Sequence, residues 1–251
     1  MPERRTRSVE EITDPLLGAL SPVPRAAPGV CRICHGAPRA GYGECLSCRR
    51  TTSQVSSPTS LVVPISLYAI PSQLHAILWG YKNTSDQAVR GRQVVQVAAI
   101  VGRFLHQHRA CIAGVAGTHF DAITVVPSSR GRPGSHPLEQ AIGLLPSLAS
   151  MLAPLLRPGA DPIGEERHAS DHAFEALKSA TGRSVLIVDD TFTTGARVQS
   201  AASALHSAGA HVIAALVVGR VMRPDFSEES DTLWEHARSQ SFTFAACCLE
   251  E

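Results

Sequence analysis

The chain has 251 residues, enough for one α/β domain with a small appendage. Its hydrophobic content of 44% supports a packed core, and with only 5% aromatics that core must be built from Val, Leu, Ile and Ala. A formal net charge of +1 gives no electrostatic case for a polyanion-binding surface over the whole molecule and leaves only a local patch, and no apolar run is long enough to span a bilayer.

Residues 1–29 are rich in Pro and Arg and read as a flexible lead-in. Within it, Ser8-Val9-Glu10-Glu11 has the spacing of a capping box and predicts a short helix ending near Leu20. No apolar h-region follows the N-terminus, so the expected compartment is cytoplasmic. The seven cysteines are then expected to be reduced, metal-bound or buried rather than disulfide-paired.

Residues 30–50 hold Cys31-Arg32-Ile33-Cys34 and Cys45-Leu46-Ser47-Cys48, a C-x2-C pair followed by a second one. Each pair can clamp one side of a tetrahedral ion, which favours a structural Zn2+ ribbon; an iron–sulfur site stays open as the alternative. Four thiolates leave no coordination position for catalysis. Cys111, Cys247 and Cys248 have no partners at metal spacing and read as packed or incidental.

Residues 51–60 are rich in Ser and Thr and read as a linker to a second unit, 61–251. There, apolar strand-like pieces at 61–70, 122–126, 185–188 and 212–218 alternate with helical patterns at 86–108, 138–156 and 196–208. The tail at 242–249 reads as a late edge strand. Strands that are apolar on both faces predict an α/β fold, a mostly parallel sheet flanked by helices. Ligands of such sheets bind at the loops that leave the C-terminal strand ends.

One such end reads Val185-Leu186-Ile187-Val188-Asp189-Asp190-Thr191-Phe192-Thr193-Thr194-Gly195. Two carboxylates there are placed to accept bonds from ribose hydroxyls, and a hydroxyl-rich turn opening into a helix suits a phosphate. Two other readings compete. An acidic N-cap after a buried strand needs no ligand. A phospho-acceptor receiver domain also has an Asp-Asp strand end, but it needs more chain after that strand and has no place for the Thr-Thr-Gly turn.

The segment resembles the phosphoribosyl-pyrophosphate (PRPP) motif of type I phosphoribosyltransferases. With the four-cysteine ribbon ahead of it, the chain is similar to the ComF-type competence proteins from Cys31 to about Val218. Leu74 to Lys82 stands where that family has a short helix and a Tyr-Lys element. Arg167 to Phe174 matches its Arg-x6-Phe stretch in outline. The family's Arg-Gly-Phe-Asn-Gln run is replaced by Gly134-Ser135-His136-Pro137-Leu138-Glu139-Gln140, in which only Gln140 corresponds.

The resemblance implies a fold of the phosphoribosyltransferase type that binds PRPP or ribose 5-phosphate with Mg2+. Asp189 and Asp190 would take the ribose hydroxyls, and Thr191, Thr193, Thr194 and Gly195 the 5-phosphate. Ser128, Ser129 and Arg130, after the strand at 122–126, would hold the pyrophosphate. It implies either phosphoribosyl transfer to a nitrogenous acceptor, or an accessory role in DNA uptake or recombination. In the accessory role, the ribbon and Arg32, Arg39, Arg49 and Arg50 would meet single-stranded DNA or a DNA-processing protein. No catalytic residue is assigned from the sequence.

Overall fold

A computed structural model describes residues 7–128, 135–164 and 167–250. Helix α1 (Val9–Thr13) opens on the expected capping box. Ser8 Oγ accepts the Glu11 N–H at 3.1 Å, and Glu11 Oε2 accepts the Ser8 N–H at 2.8 Å. A 3-10 turn, Asp14–Ala19, carries Leu16 and Leu20 into the main core, while Arg103 donates to Thr13 Oγ1 at 2.7 Å. The described part of the lead-in, expected to be flexible, is therefore packed: it holds apolar side chains that the core buries.

Helix α2 (Leu46–Thr52) starts directly after Cys45. Residues 53–60 then run along the helix that follows the Asp-Asp strand. Gln199 accepts the Thr59 N–H at 2.9 Å and donates to the Thr59 carbonyl at 2.9 Å. Ser203 Oγ accepts from the Ser57 N–H at 3.1 Å, and Asp171 accepts from the Ser56 N–H at 3.0 Å. The polar composition that reads as a linker is thus used to dock the segment.

The elements continue as β1 (Val62–Tyr68), α3 (Gln73–Asn83), α4 (Gln87–Ala116), β2 (Ala122–Val125), α5 (Pro137–Gly143) and α6 (Pro146–Ala149). After them come β3 (Leu156–Pro158), β4 (Phe174–Ala176), β5 (Ser184–Phe192), α7 (Ala196–Ser207), β6 (His211–Val221) and α8 (Glu228–Arg238). Helix α4 is longer than its apolar periodicity predicts. Asp86 Oδ1 caps its start, accepting the Ala88 and Val89 N–H groups, and Gly117 at φ +72° ends it. The helical stretch over 138–156, which the sequence reading interrupts at Pro146 and Pro154, divides into α5, α6 and β3, with Pro146 restarting the chain at the first turn of α6.

Four strands form a parallel sheet in the order β1-β6-β5-β2, and β3 pairs with β4 in an antiparallel ribbon. Helices cover both faces, so the expected α/β class holds. Alternation along β5 divides the interior. Leu186 and Val188 pack with α3, α4 and α5, whereas Val185 and Ile187 pack with α7 and the four ribbon cysteines. Each such fully buried Val, Leu or Ile contributes roughly 1.5–3 kcal/mol. No strand forms at 242–249; Phe244, Cys247 and Cys248 fold instead onto the main core. Helix α8 covers the β1 side, where Leu233 and Ala237 meet Leu67 and Met222.

Candidate functional site

Because the four strands are parallel, their C-terminal ends meet along one edge, over a cleft of about 810 Å³. Strand β5 is longer there than its apolar stretch suggests, staying paired with β6 as far as Phe192 opposite Arg220. Asp189 and Asp190 therefore lie in the strand itself, 1% and 2% exposed. Adjacent strand residues point to opposite faces, so the two carboxylates take different partners. Asp189 Oδ2 faces Arg197 Nε of α7 at 3.3 Å, and its Oδ1 accepts the Asp190 N–H at 3.0 Å. Asp190 Oδ2 accepts the Tyr81 hydroxyl at 2.5 Å and pairs with the Lys82 ammonium, both from α3.

These surroundings push the two acids apart. Burial, reinforced by the Asp190 charge, raises Asp189 above the usual carboxylate range although Arg197 opposes it. Burial also acts on Asp190, but Lys82, the Tyr81 hydroxyl and His136 outweigh it and hold that carboxyl low. Asp190 is thus the more acidic of the pair. A carboxylate has about four lone-pair sites, so these contacts leave acceptor capacity toward the cleft.

Thr193, Thr194 and Gly195 form the turn into α7. Thr191, Thr193 and Thr194 are half-buried, and all four residues line the cleft. Gly195 sits at φ +90°, and a Cβ there would lie 2.5 Å from Phe192 Cζ. The turn thus rests on the Phe192 ring, a packing role that the sequence reading gives it, with no chemistry assigned. Tyr68 Oη donates to Thr191 Oγ1 at 3.4 Å. Arg197 reaches past Asp189 to the Pro127 carbonyl at 2.9 Å, tying the β2 loop to the β5 turn.

Ser128 lines the same cleft, whereas Ser129 and Arg130 lie outside the described residues. His136 and Arg167 also line it, while the Gln140 amide donates to Ser135. Sequence reasoning missed Arg197, and noticed Tyr81 and Lys82 only as a family element. A signal for Arg197 existed, since a cation in the first turn of a helix opposes the helix dipole and needs an anion nearby.

The four ribbon cysteines are 0–5% exposed, with their sulfurs all within 4.8 Å of one another. Cys34 and Cys45 are 3.7 Å apart, close to the roughly 3.8 Å edge of a tetrahedral thiolate site with Zn–S near 2.3 Å. The donor set is compatible with a structural zinc. His35 points elsewhere, its Nδ1 lying 2.9 Å from the Pro24 carbonyl. Buried Arg220 donates from Nε to Cys34 Sγ at 3.4 Å, and its guanidinium lies 5.3 Å from the centre of the Phe192 ring. Thr51 of α2 donates to the Thr194 carbonyl at 3.3 Å. The four-cysteine ribbon thus supports the turn from below.

Cys111, Cys247 and Cys248 pack in the main core, as the sequence reading has it, and Cys111 and Cys247 also gain neighbours that no sequence spacing shows. With His108 and Glu250 they form a second cluster, remote from the cleft. Among the described residues no helix is long and apolar enough to cross a membrane.

No protein-family model matches the chain, and no curated protein matches it. Among solved structures, it is similar to the allosteric regulatory enzyme of purine biosynthesis at 19% identity and a TM-score of 0.27. The match covers 48% of this chain and 26% of that one, so the chain spans about a quarter of that protein's length. At that distance, the fold is read from the strand order and the site from its own geometry.

Proposed function

We propose that the cleft binds PRPP or ribose 5-phosphate and that the protein transfers the phosphoribosyl group to a nitrogenous acceptor. One observation carries this reading. Two buried acids lie near the C-terminal end of a central parallel strand, and a Thr-rich turn follows that opens a helix at a positive-φ glycine. In the proposed complex, the acids accept the ribose hydroxyls. The phosphate lies against the Thr193–Gly195 amides and the N-terminus of α7. Ser128 of the cleft, and by the resemblance Ser129 and Arg130, are assigned to the pyrophosphate. Arg197 and Lys82 lower the cost of bringing an anionic ligand to two carboxylates.

Loss of pyrophosphate from the anomeric carbon creates an oxocarbenium-like centre. The chain's own contribution is to orient the ribose, hold the leaving group and exclude water. A bound Mg2+ would neutralise pyrophosphate charge. Both acids already face cations of the protein, so the donor set fits an ion carried in on phosphate oxygens better than one held by protein ligands alone. In the ribbon we assign the metal as zinc.

The test is calorimetry with PRPP and ribose 5-phosphate in the presence of Mg2+, followed by pyrophosphate release across a panel of nucleobases and amines. Binding that Asp189→Ala weakens at least about tenfold, together with release on one acceptor class, is the expected result. Binding with no release on any acceptor would make the cleft a ribose-phosphate sensor, as the accessory role requires. Absence of binding would remove both readings.

A further inference from the structure

On the far side of the main core, α4 and the C-terminal segment bring together four side chains that the proposed transfer does not use. His108 and Cys111 lie one turn apart on the same helix face. Cys247 and Glu250 come from the segment that folds onto α4. Their donor atoms, one nitrogen, two sulfurs and one carboxylate oxygen, all lie within 4.8 Å of one another.

Three of the six separations lie at or just under the edges of a tetrahedral site. His108 Nδ1 is 3.1 Å from Glu250 Oε1, and Cys111 Sγ is 3.6 Å from both. A tetrahedral zinc with bonds near 2.3 Å to sulfur and 2.0–2.1 Å to nitrogen and oxygen has edges of roughly 3.3–3.8 Å. The orientation of the imidazole agrees. His108 is 2% exposed, and its Nε2 lies 2.7 Å from the Phe244 carbonyl. That carbonyl can only accept, so it fixes the proton on Nε2 and leaves the Nδ1 lone pair of a neutral ring aimed at the cluster. Glu250 Oε2 is held in turn by the Cys247 N–H at 3.2 Å. A ligand nitrogen and a ligand carboxylate, each braced by backbone, are what a preformed metal site requires. The Glu250 side chain is 33% exposed and Cys111 half-buried, which leaves an entry path from solvent.

We propose that His108, Cys111, Cys247 and Glu250 form a second metal site, selective for a zinc-class divalent ion. Two sulfurs and an imidazole disfavour Mg2+ and Ca2+, which take oxygen ligands. Binding displaces the thiol protons of Cys111 and Cys247 to solvent and involves no redox change. With four protein ligands the site is structural. It staples the C-terminal segment to α4 across 139 positions of sequence.

The full chain, stripped of metal under reducing conditions, is reloaded with Zn2+, dialysed and analysed for metal. The ion content should fall by about one per chain from the unsubstituted protein to a Cys111→Ser/Cys247→Ser double variant, whatever the ribbon holds. Co2+ in place of Zn2+ should show that same lost ion as a tetrahedral site with fewer thiolates than the ribbon's. Glu250→Gln, at a position that disturbs no core, should weaken this one ion about tenfold and guards against misfolding of the double variant. Equal metal content in the three proteins overturns the proposal. So does a Cys111–Cys247 disulfide in protein isolated with its thiols blocked.

Discussion

Two residues decide whether the cleft keeps its shape, and each fails in its own way. Asp190 is a buried anion whose charge is met by Lys82 and Tyr81. Lys82→Met strands that charge and should cost up to about 3 kcal/mol in urea unfolding near neutral pH. Since its folded carboxyl is held below the ordinary value, Asp190 contributes stability above that value and loses it as pH falls through the lower one. Asp189, raised by burial, contributes in the opposite sense, losing stability as pH rises through its folded value. Asp190→Asn should therefore flatten the decline in stability below about pH 4, and a titration of urea midpoints reads this directly. Gly195 fails by geometry. Gly195→Ala forces a Cβ into the left-handed region and against Phe192, so a loss of about 1–3 kcal/mol is expected, together with weaker ribose 5-phosphate binding. Adding Phe192→Leu should restore part of the stability and none of the φ cost. At this scale the sequence was legible where function is local. Asp189 to Gly195 are contiguous and sit together in the cleft. Tyr81, Lys82 and Arg197 arrive from other elements, and no spacing rule links position 81 to position 190.

Among the elements, the contact between the ribbon and the β5 turn matters most. A path runs from Cys34 Sγ through the Arg220 guanidinium to the Phe192 ring and Gly195, and a second from Thr51 to the Thr194 carbonyl. Removing the ribbon metal, or replacing Cys34 by Ser, should therefore weaken ribose 5-phosphate binding about tenfold although no ribbon residue lines the cleft. Calorimetry on zinc-loaded and stripped protein checks this, and equal affinity would mean the ribbon is a passenger. The elements also show why some of the fold could be read early. Helix α4 and the buried part of β5 carry their own periodicity, so packing had nothing to override. Strands β3 and β4, three residues each, are too short for a period to appear, and their pairing of Leu156 with Ala176 and Pro158 with Phe174 joins segments far apart in sequence. The 242–249 tail reads as strand by composition alone. Its aromatic and thiol side chains are spent on α4, where Phe244 takes the Arg103 guanidinium at 4.7 Å.

At the scale of the whole molecule, the question is whether the ribbon is a separate body. Its composition and its Ser/Thr border read as a module on a tether. In the structure the four cysteines share one apolar cluster with Val185, Ile187 and Val198, so the ribbon's interior is part of the sheet's second core. The intervening segment repeats the coupling in polar form. Thr59 exchanges two hydrogen bonds with the fully buried Gln199, and Gln199→Ala would leave the buried Thr59 N–H without its acceptor, at about 1–3 kcal/mol. A module attached this way cannot unfold alone without exposing the α7 face of the sheet. Stripping the ribbon metal should then lower the melting temperature of the chain in one transition, with tryptophan fluorescence and far-ultraviolet circular dichroism moving together. Trp234 of α8 packs in one cluster with Val30 and Ala37 of the ribbon, so the test is run on a Trp234→Phe variant, in which Trp79 of α3, at the cleft rim, reports on the sheet alone. An early transition that leaves the Trp79 indole unchanged would restore the tethered module.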